Sequence, residues 1–367
     1  MKPLTVLVIG ASARALAQSV AKAGHIPLAL DMYGDRDLLE IARWQKLKKS
    51  DSITAIALNV KADGAVFSSG VENNPDAILE LEHSGVSVFS SPSEVIRRSR
   101  DLSELALICK KHKIGRPKTV LSPPIDGEYL VKPIKSGAGN RIRDWEGEAL
   151  NPGEYLQEKI EGIPLSAVFV SNGKNAVLLG VSRQFTGEAF LGAAGYAWCG
   201  NLMPFDIAPA EREPLLSDLR RIITALVGDL GLSGACGVDF IYDNGRLYLL
   251  EINPRICASF ELVELLQGVN IFNLHLQALK GKIPAEPEGL LEGPFWGKGI
   301  VYATGDGIAP DTGHWPARMR RDIPQEGALL PAGLPICTVI SPPMESSGGV
   351  IEHLGIEARK IWGECAL

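Results

Sequence analysis

Short apolar runs alternate with helical patterns over the first quarter of the chain. The runs read LTVLVIG, HIPLALD, GAVFSSG and GVSVFSS, and amphipathic stretches separate them. Strands that alternate with helices are typical of a parallel α/β sheet. The pattern therefore predicts an α/β fold class, α+β over the whole chain, with an α/β domain over residues 1–90.

The N-terminus has two features that resemble other kinds of segment. MKPLTVLVIGASARA carries a lysine, an apolar run and a small-residue tail, as a secretion signal does, but the run Leu4–Ile9 is short for one. Gly10 and Asp31 lie where dinucleotide-binding folds need them, yet GASARA lacks the other glycines of that motif. A strand–loop–helix unit explains the segment, and an NAD-dependent oxidoreductase is a minor alternative.

The rest of the chain divides into four predicted segments. These are a helical connector over 91–127, a strand unit with one glycine-rich loop over 128–188, a helix–hairpin–helix unit over 189–290, and a β-rich extension with a short last helix over 291–367.

Composition excludes several classes of protein. The chain has 367 residues, 46% of them hydrophobic, which suffices for two or three cores. A net charge of −6 argues against a general nucleic-acid binder, and no apolar run is long enough to span a membrane. Six scattered cysteines without a C-x-x-C pair indicate reduced thiols. We expect a cytoplasmic protein without nucleic-acid or membrane partners.

The stretch GVDFIYDNGRLYLLEIN predicts a β-hairpin around DNG. With a two-residue loop, Asn244–Gly245, Asp239 would pair with Leu250 and lie on the face opposite Glu251. That register would separate the two acidic side chains.

A three-residue loop, Asp243–Gly245, is also a favoured type. It would pair Asp239 with Leu249 and bring Asp239, Glu251 and Asn253 to one face. The core face would then hold Val238, Phe240, Tyr242, Tyr248, Leu250 and Ile252. Three oxygen ligands on one face suit Mg²⁺, which completes its octahedron with water and phosphate. The alternative is a solvated face with incidental acids.

Residues 129–141, YLVKPIKSGAGNR, combine lysines with a small-residue loop. Lys132 ends a strand, and the backbone N–H groups of 136–139 can approach a phosphate closely. Lys135 adds a second positive charge. Alone this pattern is an ordinary turn, but beside a magnesium hairpin it indicates a lid over phosphates.

Residues 155–170, YLQEKIEGIPLSAVFV, predict a strand–turn–strand unit. Such a crossover can offer the backbone of Lys159 and Ile160 to an adenine edge, with Glu158 near the exocyclic amine. The pattern alone does not distinguish this from an ordinary turn.

The order of these motifs resembles the ATP-grasp superfamily over roughly residues 1–290. The resemblance implies an N-terminal Rossmann-like pre-ATP-grasp domain, a mobile lid subdomain and a catalytic α+β subdomain. It implies ATP and Mg²⁺ as cofactors, with Mn²⁺ as a substitute. Carried over by position, it implies phosphate contacts from Lys132 and Lys135, a lid loop at Gly137 and Gly139, adenine contacts from Glu158, Lys159 and Ile160, metal ligands at Asp239, Glu251 and Asn253, and an Arg255 that steadies the transferred phosphate.

Two positions depart from the family pattern. Pro164 stands where members usually have a glutamate for the ribose, and Leu102 where many have a phosphate-binding lysine. Only Arg98 and Arg100 offer positive charge near Leu102. These contacts must then come from other groups.

Three stretches, EGIPLSAVF, GVSRQF and DIPQEGALLPAGLPICTV, are similar to a narrower branch of predicted carboligases and amide ligases such as tyramine–glutamate ligase. This resemblance implies that Arg183, as a catalytic residue, and Gln184 face the phosphates or the substrate. A surface charge is the alternative for Arg183. Glu72 faces substrate or caps a helix, and the basic cluster 317–322 recognises an acidic substrate or is a solvated loop.

The resemblance implies an ATP-dependent carboxylate–amine ligase that forms an amide through an acyl phosphate. Its partners would be a small carboxylic acid and an amine, in small-molecule or cofactor biosynthesis such as glutamyl ligation to a one-carbon cofactor. A homodimer is one expected form. The alternatives are a biotin-carboxylase-like transfer and a nucleotide-binding regulator without turnover.

Overall fold

The N-terminal domain is built on a five-stranded parallel sheet. The computed structural model describes residues 2–48, 51–122 and 126–367. The strands lie in the order β3-β2-β1-β4-β5, and all described pairs are parallel, which confirms the predicted α/β domain. The strands are β1 (Thr5–Ile9), β2 (Ile26–Asp31), β3 (Arg43–Lys46), β4 (Gly64–Phe67) and β5 (Ser87–Phe89), and the helices between them are α1 (Arg14–Lys22), α2 (Arg36–Leu39), α3 (Ile53–Asn59) and α4 (Pro75–His83).

The apolar runs of this domain are continuous because its central strand is covered on both faces. In β1, Val6 and Val8 pack in one core cluster, whereas Leu7 and Ile9 pack in another on the opposite face. The carboxyl ends of the strands therefore form the open edge, which is where ligands bind in such sheets.

Two helices connect this domain to the rest of the chain. They are α5 (Ser93–Ser99) and α6 (Leu102–His112). Asp101 caps α6 by accepting from the backbone N–H groups of Ser103 and Glu104 at 2.8 Å. The Pro-rich hinge that follows includes residues 123–125, which lie outside the described residues.

A small antiparallel sheet follows the connector. Its strand order is β6-β9-β7-β8. The strands are β6 (Thr119–Val120), β7 (Tyr129–Pro133), β8 (Arg143–Asp144) and β9 (Glu154–Glu158). Tyr129, Val131 and Leu156 form its core.

An eight-stranded sheet is the centre of the molecule, with the order β14-β13-β10-β11-β12-β15-β19-β17. Its strands are β10 (Ile163–Asn172), β11 (Ala176–Thr186), β12 (Trp198–Met203), β13 (Ser233–Asp243), β14 (Arg246–Asn253), β15 (Trp296–Tyr302), β17 (Arg320–Arg321) and β19 (Pro335–Ile340). A separate pair consists of β16 (Gly307–Ile308) and β18 (Leu329–Leu330).

The division of the chain differs from the predicted boundary at residue 188. The small sheet ends at Glu158, and β10 and β11 pair with β13 and β12 in the large sheet. The C-terminal strands β15 and β19 also extend the large sheet and do not form a unit of their own. The physical reason is that these long strands find partners only in the large sheet.

Helices cover both faces of the large sheet. They are α7 (Pro209–Leu230), α8 (Phe260–Gln267), α9 (Ile271–Leu279) and α10 (Ser347–Glu364). The last helix has 18 residues, so the expected short helix was wrong. Among the described helices, none combines the length and apolar character that a membrane crossing needs.

The hairpin β13–β14 has a two-residue loop, so the predicted three-residue loop was wrong. Asp243 pairs with Arg246, and the loop residues Asn244 and Gly245 have φ angles of 45° and 82°. Two positive φ angles are typical of the type I′ turn that matches the twist of the strands.

A β-bulge nevertheless brings the acidic residues to one face. Phe240 pairs with Leu249 and Asp239 with Glu251, so Leu250 is an extra residue between them. An extra residue on one strand shifts the alternation of side chains by one position. The buried set on the other face is Val238, Phe240, Tyr242, Leu247, Leu249 and Ile252, and the predicted burial of Tyr248 and Leu250 was wrong.

The N-terminal domain packs on the large sheet through α1 and α9. His275 of α9 lies at this junction and is buried. Its Nδ1 accepts from the Ala235 backbone N–H at 2.8 Å, and its Nε2 donates to the Phe89 carbonyl at 2.9 Å. Both ring nitrogens are used by the neutral form, and burial lowers the pKa of His275 to about 4.

We expect His275 to make the protein acid-sensitive. Because its folded pKa is lowered, its stabilising effect is present above pH 6.5 and is lost as the pH falls toward 4, by up to about 3 kcal/mol. Urea unfolding at several pH values measures this. His275→Gln should be less stable near neutrality but should lose less stability on acidification. The exposed His83→Gln is the control, and an unchanged acid slope in His275→Gln would contradict the assignment.

Candidate functional site

Most of the predicted site residues meet at a cavity of about 430 Å³ between the small and large sheets, and Lys135, Gly137 and Arg183 are not among its lining residues. The small sheet contributes Lys132 and Gln157, and the large sheet contributes the acidic hairpin. The polar side chains that line the inner part of this nucleotide-sized cavity are Lys132, Gln157, Gln184, Asp239, Glu251 and Asn253.

Asp239 and Glu251 form the acidic centre of this cavity. Asp239 accepts from the Gln184 amide at 3.0 Å and from the Asn253 amide at 2.8 Å. Burial, together with the nearby Glu251 charge, raises the pKa of Asp239 to about 7.

Two carboxylates held side by side favour a cation between them. Asp239, Glu251 and Asn253 are oxygen donors of the kind that Mg²⁺ takes. No cluster of three or more His, Cys, Asp or Glu side chains with metal-binding geometry occurs within 2–48, 51–122 and 126–367. The donor set therefore fits a hard ion that completes its shell with water or phosphate, not one that needs an all-protein cage.

Arg255 is fixed by a buried carboxylate of the N-terminal domain. Its Nε donates to Glu72 Oε1 at 2.8 Å, and one Nη donates to Asn253 Oδ1 at 3.2 Å. Burial disfavours the charge, but Glu72 outweighs this effect and raises the pKa of Arg255 above its ordinary value. Glu72 thus neither caps a helix by its side chain nor lies open to substrate. It positions Arg255 from the 3₁₀ turn Val71–Asn73.

Lys132 lies beside the acidic centre. Its Nζ donates to Gln157 Oε1 at 2.8 Å. Burial lowers the pKa of Lys132, while Glu251 and Asp239 act in the opposite direction.

Arg100 supplies positive charge near Leu102, where this chain lacks the connector lysine of the family pattern. Its Nη1 lies 3.1 Å from Glu251 Oε2, and its Nη2 donates to the Ser136 carbonyl of the glycine loop at 3.4 Å. Arg98 turns away and pairs with Glu104.

The glycine-rich loop closes one side of the cavity. Gly139 has a φ of +71°, and a Cβ there would lie 1.8 Å from the Tyr196 carbonyl oxygen. Gly137 meets no such contact, and the side chain of Lys135 is exposed and outside the cavity lining. Gly139 is therefore the loop position that requires glycine. The structure does not bring the side chain of Lys135 to the cavity.

Glu158, Lys159 and Ile160 are among the residues that line the cavity, and their contact with adenine stays a prediction. Glu158 accepts from the Lys118 backbone N–H at 2.9 Å. The Lys159 Nζ donates to Asp144 at 2.9 Å.

The Tyr196 hydroxyl donates to the same Asp144 oxygen at 2.9 Å. This contact joins β8 of the small sheet to the loop before β12, where Tyr196 lines the cavity. The sequence carried no signal for it, because the partners are 52 residues apart. Pro164 lines the cavity without offering a side-chain hydrogen bond to a ribose.

Two predicted placements were wrong. Gln184 faces the cavity, so its neighbour Arg183 on β11 faces the other way and pairs with Glu188 at 3.2 Å. The structure therefore does not bring Arg183 to the acidic centre, where a catalytic role would need it.

Of the three arginines in the basic cluster 317–322, Arg318 is exposed, as expected for a solvated loop, and the other two are not. Arg320 and Arg321 are buried. Arg320 donates to Glu364 at 2.8 and 2.9 Å, and Arg321 pairs with Glu261. Their partners lie far along the chain, which is why the local sequence did not reveal the burial.

A second cavity of about 220 Å³ adjoins the first. Ser69, Ala138, Trp198, Cys257 and Ala258 line both. Its wall combines apolar side chains from the N-terminal domain, the large sheet and the C-terminal strands, including Leu16, Ile256, Phe260, Ile300, Tyr302 and Ile336.

Buried charges surround the polar end of the second cavity. Arg14 is 1% exposed, pairs with Glu261, and donates to Asp322 at 3.0 and 3.1 Å. Lys298 donates to Glu261 at 2.8 Å. This network joins α1, α8 and the C-terminal extension around the cavity.

Asp35 lines the second cavity and is 8% exposed. It occupies the N-cap position of α2 without accepting a capping hydrogen bond. Burial and the charges of Asp322, Asp37 and Asp31 raise the pKa of Asp35 to about 9. Sequence reasoning missed this residue because an aspartate before a helix is usually only a cap.

Comparison with known proteins agrees with this architecture. Residues 107–259 match the family model described as an ATP-grasp domain. An uncharacterised protein of Methanocaldococcus jannaschii is 23% identical over 92% of this chain and 88% of its own. Tyramine–L-glutamate ligase of the same organism is 27% identical over 70% of this chain and 78% of its own.

Solved structures share the fold. L-amino acid ligase from Bacillus licheniformis superposes with a TM-score of 0.70 at 13% identity, covering 98% of both chains. Biotin carboxylase from Campylobacter jejuni superposes with a TM-score of 0.72 at 13% identity, covering 95% of this chain and 89% of its own. The molecule therefore has the fold of these ATP-grasp enzymes, and residues 107–259 are the part that matches the ATP-grasp domain model.

We expect Asp35→Asn to raise stability at neutral and alkaline pH. A raised folded pKa means that stability is lost as the pH rises from about 4 to about 9, and asparagine removes this loss. The facing charges are Arg14, Asp31, Asp37 and Asp322. In thermal melts from pH 4 to pH 9, the free energy of unfolding of the variant relative to that of the wild type should increase by more than about 1.4 kcal/mol, the equivalent of one pKa unit. A pH-independent difference would contradict the prediction.

Proposed function

We propose that this protein is an ATP-dependent ligase that joins a small carboxylic acid to an amine and releases ADP and phosphate. The observation that carries the proposal is the meeting of Asp239, Glu251, Asn253, Lys132 and Arg255 at one cavity that opens into a second. The names of relatives agree, since they include tyramine–L-glutamate ligase and L-amino acid ligase.

The proposed reaction has two steps. A carboxylate oxygen attacks the γ-phosphorus of ATP, the bond to the β–γ bridging oxygen breaks, and ADP leaves. The amine nitrogen then attacks the acyl carbon, the bond to the phosphate oxygen breaks, and the nitrogen loses a proton. Positioning and charge neutralisation are the protein's contribution to this chemistry.

Asp239, Glu251 and Asn253 would hold Mg²⁺, or Mn²⁺ in its place. The ion would offset charge on the β- and γ-phosphates. Lys132 and Arg100 place cations on the phosphate side of the acidic pair.

Arg255 would steady the transferred group from the substrate side. Glu72 and Asn253 hold its guanidinium in one orientation, which reduces the reorganisation needed in the transition state.

The glycine loop would limit access of water to the acyl phosphate. The Ala138 carbonyl accepts from the Trp198 N–H at 3.0 Å, and Arg100 donates to Ser136. These contacts hold the loop over the cavity, and lids of this kind exclude water during transfer.

A second candidate is a biotin-carboxylase-like transfer, favoured by the fold shared with biotin carboxylases. Bicarbonate dependence of ADP release distinguishes it. A regulator that binds nucleotide without turnover is the third reading. For the ligase, we propose small-molecule partners, a cytoplasmic reaction and a homodimer.

The test is nucleotide product release. Incubation with Mg-ATP and a pool of cytosolic acids and amines should raise ADP only when the pool is present. Asp239→Asn should lower this rate by roughly 10²–10³-fold, because a ligand of the metal and its charge are lost. Fractionation of the pool then identifies the substrates.

Other results would overturn the ligase. AMP in place of ADP indicates an acyl adenylate. ADP that depends on bicarbonate supports the carboxylase reading. Tight Mg-ATP binding without turnover against any pool supports the regulator.

We expect Arg100 to replace the missing connector lysine. Arg100→Ala should lower kcat/KM for ATP by roughly 10-fold or more, since it removes a charged contact at the phosphate end. The matched control Arg98→Ala, which removes a pair with Glu104 and a hydrogen bond to the Asp229 carbonyl away from the cavity, should change it by less than about 2-fold. An equal decrease of kcat/KM in both variants would contradict this role and would show that loss of Arg100 affects activity only by disturbing the fold.

A further inference from the structure

The second cavity contains a carboxylate that nothing in the described chain satisfies. Four acidic side chains line it: Asp35, Glu261, Glu264 and Asp322. Glu261 pairs with Arg14 and Lys298, and Asp322 pairs with Arg14. Glu264 accepts from the Ile271 N–H at 3.0 Å.

The Asp35 carboxylate has no hydrogen bond or ion pair within residues 2–48, 51–122 and 126–367, although only 8% of the residue is exposed. A buried carboxylate without a partner is unfavourable. The remaining exposed part faces the cavity, because Asp35 is among its lining residues.

The charged side chains around this cavity include more negative than positive groups. Four carboxylates line the cavity, and Lys298 is the one cation among its lining residues, while Arg14 and Arg321 add positive charge from behind Glu261. All three cations are already paired with Glu261. A positively charged ligand would restore the balance.

Asp35 lies away from the junction of the two cavities. It lines the second cavity and not the first, whereas Cys257 and Ala258 line both. Apolar side chains, among them Leu16 and Ile336, form much of the second cavity's wall.

We propose that the second cavity binds a substrate with an apolar body and a cationic group, an ammonium or guanidinium, that donates to Asp35. The reacting end of this molecule lies beside Cys257 and Ala258, where the two cavities meet. Its assignment as a substrate rests on the ligase function proposed above, whereas recognition of the cation by Asp35 stands independently.

The test is direct binding without nucleotide. Calorimetric titration compares phenethylamine with 2-phenylethanol, which has a similar shape and no charge. The wild type should bind the amine roughly 10-fold or more tightly than the alcohol, through a charge-assisted hydrogen bond. In Asp35→Asn the preference should fall to about 2-fold or less.

Glu264→Gln is the matched control, because it removes a cavity charge whose carboxylate is already partnered. It should keep the preference for the amine. Thermal melts check the folding of each variant, and Asp35→Ser replaces Asp35→Asn if the latter does not fold.

Three results would overturn the proposal: no binding of either probe, equal binding of both by the wild type, or an unchanged preference in Asp35→Asn. Because ATP is absent, the outcome is separate from that of the ligase test. Preference for the amine in a protein that never releases ADP would support the cation site and overturn the ligase.

Discussion

The cross-strand pairing of Asp239 with Glu251 is the constraint on which the rest of the site depends. Two carboxylates directly opposite each other on neighbouring strands repel and destabilise the hairpin. The surrounding structure reduces this repulsion with donors from three directions: Asn253 and Gln184 donate to Asp239, and Arg100 pairs with Glu251. What remains is a pair of adjacent carboxylates at the cavity wall, with Lys132 and Arg255 nearby, that the fold holds together although their repulsion opposes folding.

Charge pairs between domains position the groups that face this pocket. Glu72 comes from the N-terminal domain and Arg255 follows the hairpin β13–β14, and their side chains are 3% and 12% exposed. Arg14 similarly joins the first helix to Glu261 and to the C-terminal Asp322. Buried ion pairs contribute little net stability, because desolvation offsets their attraction, but removal of one partner is costly. These pairs therefore act mainly to fix the relative positions of three chain segments around the two cavities.

The fold class and the inner site could be predicted from local patterns, because strand alternation and the E-x-N-P-R motif are local properties. The parallel domain and the proximity of Asp239, Glu251 and Asn253 are present as predicted. Long-range partners could not be predicted. The local sequence around Arg321 is typical of a surface charge, but in the structure Arg321 pairs with Glu261, 60 residues away. The direction of the Arg183 side chain could not be predicted for a related reason. Motif similarity located the strand but not the face to which each side chain points.

The hairpin also shows how the number of residues between two positions decides whether their side chains share a face. Eleven residues separate Asp239 from Glu251, an odd number. An odd separation can arise from a three-residue turn on regular strands or from a two-residue turn with a bulge, and both present the carboxylates to the same side. The two solutions are interchangeable so long as the total is conserved. Loss of a single residue anywhere between them would turn one carboxylate toward the core, whatever turn remained.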